Sequence, residues 1–146
     1  VVQPFVRLRT GLYAARSYAE AHGLPASPAE FAAHSFVGAD EQMSRAPFHR
    51  WLREAVPAEA IIYRATESSA LDEAVRAGAG IGFLAAHEAA GDPDLVEVMP
   101  PQPEWDSQLW LVTHVDLHRT LKVQSFLNHL KQAAATWQSS WDQSSV

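Results

Sequence analysis

The sequence predicts an α/β fold: a mostly parallel sheet with helices on both faces. Three observations carry this. Short apolar and β-branched runs alternate with stretches of helical spacing along most of the chain. One run, Ile81 to Leu84, carries no polar residue, as expected of a strand covered on both sides. Glycines and prolines fall between the runs: Gly23 before Pro25, then Pro57 and Gly78, each at a place where a helix should stop.

The elements follow in order. Phe5 to Leu12 alternates with period two and reads as a strand. Ala14 to His22 is alanine-rich and reads as a helix ended by Gly23. In Ser27-Pro28-Ala29-Glu30, Ser27 can cap a helix, Pro28 suits its first turn, and Glu30 can close a capping box; the short helix that follows buries Phe31. Ser35 to Ala39 is a strand, and Asp40 to Arg45 a polar loop. Phe48, Trp51 and Leu52 give one helical face over Pro47 to Glu54. Ala60 to Ala65 is a strand rich in β-branched and aromatic residues. Ser68 or Ser69 opens the next helix, with Asp72 available to complete a box with Ser69 and a buried stripe of Leu71, Ala74 and Val75. Ala85 to Ala90 is a short helix, Leu95 to Met99 a strand, Pro100 to Pro103 a stiff connector, and Gln108 to His114 a strand. Thr120 starts the last helix, whose apolar stripe is Leu121, Val123, Phe126, Leu127, Leu130 and Ala134. Residues 138–146, mostly Ser, Gln and Asp, read as a frayed tail.

Composition narrows the function. With 47% hydrophobic and 19% charged residues among 146, the chain can build one packed core. Its formal charge is −6, and its densest basic group, Arg45, Arg50 and Arg53, has acidic neighbours. A duplex-binding domain needs a clustered basic face, so this piece should not grip DNA itself. With no cysteine, disulfides, thiolate metal sites and cysteine nucleophiles are excluded. That fits a reducing cytoplasm, the expected location. No apolar run approaches membrane-spanning length, and no export signal is visible. The chain begins Val1-Val2-Gln3 and reads as a fragment.

The constellations that suggest chemistry have plainer readings. Gly78, Gly80 and Gly82 end a helix and enter a strand, the reverse of a dinucleotide fingerprint, so they read as a cap and close helix–strand packing. His114 and His118 are four apart but straddle a strand end and a turn, with no third ligand to make a zinc site. His87-Glu88 lacks the second histidine of a zinc protease. Ser68 and Ser69 lack the glycines of a nucleophile elbow and read as helix caps. Neither a catalytic residue nor a cofactor is therefore expected. Trp51 and Trp110 sit at apolar positions and read as core, whereas Trp105, Trp137 and Trp141 read as loop, surface or tail.

A binding site is better supported. Open α/β sheets bind ligands beyond the carboxyl ends of their strands, and a helix N-terminus favours anions. Thr66, Glu67 and Ser68 lie between a strand and a helix, and Asp40 and Glu41 follow another strand end. The acid pair would repel an anion or attract a cation, so the ligand's charge stays open.

The ordered series of motifs resembles the effector-binding domain of LysR-type transcriptional regulators. It runs from Gly11-Leu12-Tyr13-Ala14-Ala15, through Tyr18, His22-Gly23-Leu24-Pro25, Pro28-Ala29-Glu30-Phe31 and Phe36-Val37-Gly38, to Thr66-Glu67-Ser68-Ser69-Ala70-Leu71. It continues in Ala74 to Leu84, Leu109-Trp110-Leu111-Val112, His114, Asp116-Leu117 and the helix around Val123 and Phe126. The resemblance covers nearly the whole chain except the tail. It implies a periplasmic-binding-protein-like (type 2) domain of two lobes, with a small effector in the cleft between them. A winged helix-turn-helix would precede it, so DNA is a partner only through that missing domain. Residues 1–12 would be the last strand of a largely missing lobe one. Residues 13–108 would form lobe two. Residues 109–137 would be the return crossover and the C-terminal helix, and 138–146 a flexible tail. The resemblance puts ligand contacts at Gly38 to Glu41 and at Thr66 to Ser68; Glu67 departs from the uncharged amide expected there. The expected role is an effector sensor rather than an enzyme, with half of a solute-binding transport protein as the alternative. Lacking lobe one, the stripe on the last helix would drive self-association into a dimer or larger.

Overall fold

The computed structural model describes residues 1–40 and 46–144. Among these residues run seven strands and six α-helices: β1 (Val2–Leu8), β2 (Thr10–Ala15), α1 (Arg16–His22), β3 (Phe36–Ala39), α2 (Pro47–Ala55), β4 (Ile61–Ala65), α3 (Ser68–Arg76), β5 (Gly82–Ala85), α4 (Ala86–Ala89), β6 (Leu95–Met99), β7 (Ser107–Val112), α5 (Val115–His118) and α6 (Leu121–Ser144). Among the described residues no helix is long and apolar enough to cross a membrane.

The α/β class holds, but the sheet is mixed rather than mostly parallel. β3 and β4 pair in parallel, whereas β2 pairs antiparallel with both β5 and β6. The Phe36–Ile81 bridge joins the two groups into one surface. The apolar run Ile81 to Leu84 predicts a strand covered on both faces, but it carries no information on direction, and both orientations satisfy that burial.

Alternation along the central strands sorts the core into two layers. Leu12, Phe36 and Phe83 point to one face with Tyr18 of α1 and Leu52 of α2. Tyr13, Val37 and Leu84 point to the other with Val75 of α3 and Ala89 of α4. The glycine triplet serves this packing, as its order implied. Gly78 ends α3 at φ 84°. A Cβ at Gly80 would stand 2.7 Å from the Ser35 carbonyl oxygen, and one at Gly82 would stand 2.5 Å from Val37 and 2.6 Å from Val75.

Several local expectations are corrected. The strand expected over Phe5 to Leu12 breaks at Arg9 into β1 and β2. Leu12 thus lies within β2, which is buried along its whole length in the central sheet. Ser27 makes no capping bond; Glu30 instead accepts from the Ala26 N–H at 2.6 Å, and Pro28–Ala33 is a 3-10 turn. α3 starts at Ser68 with Glu67 as an uncapping N-cap residue. The tryptophans exchange roles. Trp105, 1% exposed, sits edge-on to Phe83 and Trp51 with ring centroids 4.9 and 5.1 Å away, while Trp110 on β7 is 56% exposed. A 3-10 turn over Pro103–Trp105 swings Trp105 inward, and β7 pairs with β1 alone, leaving Trp110 uncovered.

β1 and β7 form a separate antiparallel ribbon with Val2 opposite Val112 and Leu8 opposite Ser107. Asp106 sits between Arg7 at 3.3 Å and Arg9 at 3.9 Å, which ties the ribbon's base together. α6 packs on β1 and α4 and buries Leu127 and Ala134. It runs to Ser144 instead of fraying after Trp137. Gln138 accepts a 2.8 Å hydrogen bond from the Arg7 N–H, and Trp141 stacks on His87 at 4.3 Å, so this polar stretch has anchors that composition does not reveal.

Candidate functional site

A cavity of about 270 Å³ opens where the ribbon meets the body. Leu8, Thr10 and Ser107 come from the ends of β1, β2 and β7. Phe48 and His49 come from the first turn of α2, and Ser68, Leu71 and Asp72 from the first half of α3. Phe83, Leu84 and Ala85 end β5, and Glu88 belongs to α4. The position follows from the topology: β5 and β4 run toward this edge, and α2 and α3 start there, so strand ends and helix N-termini converge.

The wall is apolar at Phe48, Leu71 and Phe83 and polar opposite. Thr10 is 7% exposed, the one buried polar residue among those described. The His49 Nδ1 is buried without a hydrogen-bond partner. Burial, reinforced by the Arg53 charge, lowers the His49 pKa to about 4, so the ring is neutral at physiological pH. Burial and the Glu88 carboxylate raise the Asp72 pKa, against the pull of Arg76.

Of the residues expected at the site, Ser68 lines this cavity; Gly38, Asp40, Thr66 and Glu67 do not. Glu41 lies outside the described residues. Gly38 has a packing role, since a Cβ there would stand 2.6 Å from Leu52 Cδ2. Asp40 is exposed and donates its backbone N–H to the Ala65 carbonyl at 3.1 Å. Thr66 and Glu67 are exposed on the turn before α3. His114 caps α5, accepting from the Asp116 N–H, and His118 bonds Thr113 at 2.8 Å.

Residues 1–135 match the family described as the LysR substrate binding domain. The chain belongs to that family. The LysR domain is 28% identical over 144 residues to the probable HTH-type transcriptional regulator LtrA of Klebsiella pneumoniae, covering 89% of this chain and 45% of that protein. It thus spans about half the length of that curated relative. Its fold is that of the regulatory domain of CrgA, a LysR-type transcriptional regulator from Neisseria meningitidis, with a TM-score of 0.69 at 21% identity over 92% of this chain and 68% of that one. The effector domain of the transcriptional regulator AmpR of Pseudomonas aeruginosa gives 0.68 at 18% identity, over 95% and 68%. These likenesses establish the type 2 periplasmic-binding-protein-like architecture.

Sequence reasoning missed most of the LysR domain's cavity lining. In the sequence, Phe48 and Phe83 read as plain core, and Asp72 reads as part of a capping box. One signal was available: Thr10 is a polar residue entering a strand that is otherwise apolar through Ala15.

Proposed function

We propose that this chain is the effector-sensing part of a transcriptional regulator, binding a small molecule in the cavity and acting on DNA through a domain outside the chain. The observation that carries this reading is the cavity's position. Its lining joins the ribbon (Leu8, Ser107) to the body (Leu71, Phe83), so an occupant that fits one ribbon–body arrangement better than another shifts their balance. The regulators named among its relatives favour this over a transport protein. The role needs binding without turnover.

Self-association belongs to the same proposal. Val112, Leu121 and Phe126 are more than half exposed on β7 and α6, large apolar groups that contact with a second copy would cover.

The test is a small-molecule screen by thermal shift. A ligand at a hundred times its Kd raises stability by about 2.7 kcal/mol. A hit should lose its effect when Ser68→Trp fills the cavity mouth and should emerge chemically unchanged. Hits indifferent to Ser68→Trp, or converted to product, refute the reading.

A further inference from the structure

The cavity has a charge sign. Its ionisable lining is two carboxylates, Asp72 and Glu88, and the His49 imidazole, which burial keeps neutral. Among the described residues no Arg or Lys lines it. Of the cations nearby, Arg53, whose charge is felt at His49, has no ion pair among the described residues, and the others are engaged elsewhere. Arg76, one turn beyond Asp72 on α3, binds Asp92 at 2.5 Å, and Arg7 and Arg9 face Asp106. Glu88 has the His87 ring at 3.9 Å, whereas Asp72 has no ion pair among the described residues.

A second, independent observation points to an absent hydrogen-bond partner. Thr10 is more than nine-tenths buried and lines the cavity, yet its hydroxyl bonds to none of the described residues. On the same lining, the His49 Nδ1 is buried and also unpartnered. Buried polar groups are nearly always satisfied, so the His49 nitrogen and the open Thr10 hydroxyl on this wall suit a polar occupant.

Resting on the reading of the cavity as the effector site, we propose that its ligand is a small organic cation, a protonated amine on an apolar or aromatic body. The ammonium sits at Asp72 and Glu88 within reach of the Thr10 hydroxyl, and the body lies against Phe48, Leu71 and Phe83. The chemistry is complementary. An ammonium has three donors and no acceptor, and carboxylate oxygens accept only. Aromatic faces near a carboxylate pair add cation–π attraction. One feature opposes this: Ser68 opens α3 there without a side-chain cap, and a helix N-terminus favours anions. That end carries roughly half a unit of positive charge, and the two carboxylates Asp72 and Glu88 face the same cavity.

The experiment compares three probes of matched shape, 2-phenylethylammonium, 2-phenylethanol and phenylacetate, by backbone-amide NMR titration of the 146-residue chain. The expected order of affinity is amine, then alcohol, then carboxylate, with shifts at Thr10, Asp72, Phe83 and Glu88. Asp72→Asn or Glu88→Gln should weaken the amine about tenfold, the loss of one charge-assisted hydrogen bond, and leave the alcohol unchanged. Phenylacetate binding as tightly as the amine, or an amine affinity untouched by both substitutions, overturns the cationic assignment while the cavity stands as a ligand site. If all three probes leave the lining residues unshifted at millimolar concentration, the effector-site reading falls, and the inference with it.

Discussion

Gly82 offers a sharp test of the packing between α3 and the sheet. A Cβ there would lie 2.5 Å from Val37 Cγ2 and 2.6 Å from Val75 Cγ2. Carbon atoms in contact prefer about 3.5–4.0 Å, so Gly82→Ala overlaps both methyls by about 1 Å. Neither neighbour can retreat: Val37 and Val75 are buried, and β-branched side chains have little χ1 freedom. Either α3 lifts off the sheet or β5 shifts, and overpacking of this kind costs about 1–3 kcal/mol. At ~2 kcal/mol the melting temperature falls by about 4–8 °C, and the urea midpoint by ~1 M at an unchanged slope. Gly91→Ala is the control. Nothing lies within 4 Å of its added Cβ, so it should be neutral or stabilise by about 0.4–1 kcal/mol. Adding Val75→Ala should recover at least ~0.5 kcal/mol of the Gly82→Ala loss through coupling of adjacent sites. A Gly82→Ala variant as stable as the parent, or a loss that Val75→Ala leaves untouched, would show that the close approach is not what makes glycine necessary.

Trp105→Ala should cost about 3–5 kcal/mol by emptying the centre of the aromatic cluster, while Trp110→Ala on the exposed ribbon should stay within ~0.5 kcal/mol; equal losses in chemical denaturation would contradict the buried and exposed assignments. His49 has a folded pKa of about 4 against an ordinary 6.5. Between those values the unfolded chain therefore binds more protons. His49's contribution to stability is complete above about pH 6.5 and is lost as the pH falls toward about 4; His49→Gln should flatten urea midpoints across that window, and parallel pH profiles would refute it. In sedimentation velocity the chain should associate with rising concentration, and Phe126→Ser, on a side chain 61% exposed, should weaken association with little change in melting temperature. A monomer at all concentrations, or association indifferent to this change, removes the apolar face as its cause.

Local pattern was enough to find most of the elements and the family resemblance. The helical spacing of Phe48, Trp51 and Leu52, the stop at Gly78 and the unbroken apolar run Ile81 to Leu84 each report a short-range rule: backbone freedom at glycine, burial on one face or two. The same rules told the glycine triplet apart from a nucleotide loop. Other features depended on contacts between residues far apart in the chain. The antiparallel pairing of β2 with β5 and β6 places Thr10 opposite Ala85, and that places its hydroxyl in the cavity. Trp105 became core and Trp110 surface because burial depends on which element covers a residue, and a tryptophan's own neighbours in sequence do not report that. Gln138 and Trp141 hold the end of α6 through partners more than fifty residues away, Arg7 and His87. Asp72 is the clearest case. In sequence it is an acid in the first turns of a helix; only the fold sets it beside Glu88 and puts both carboxylates on the cavity wall.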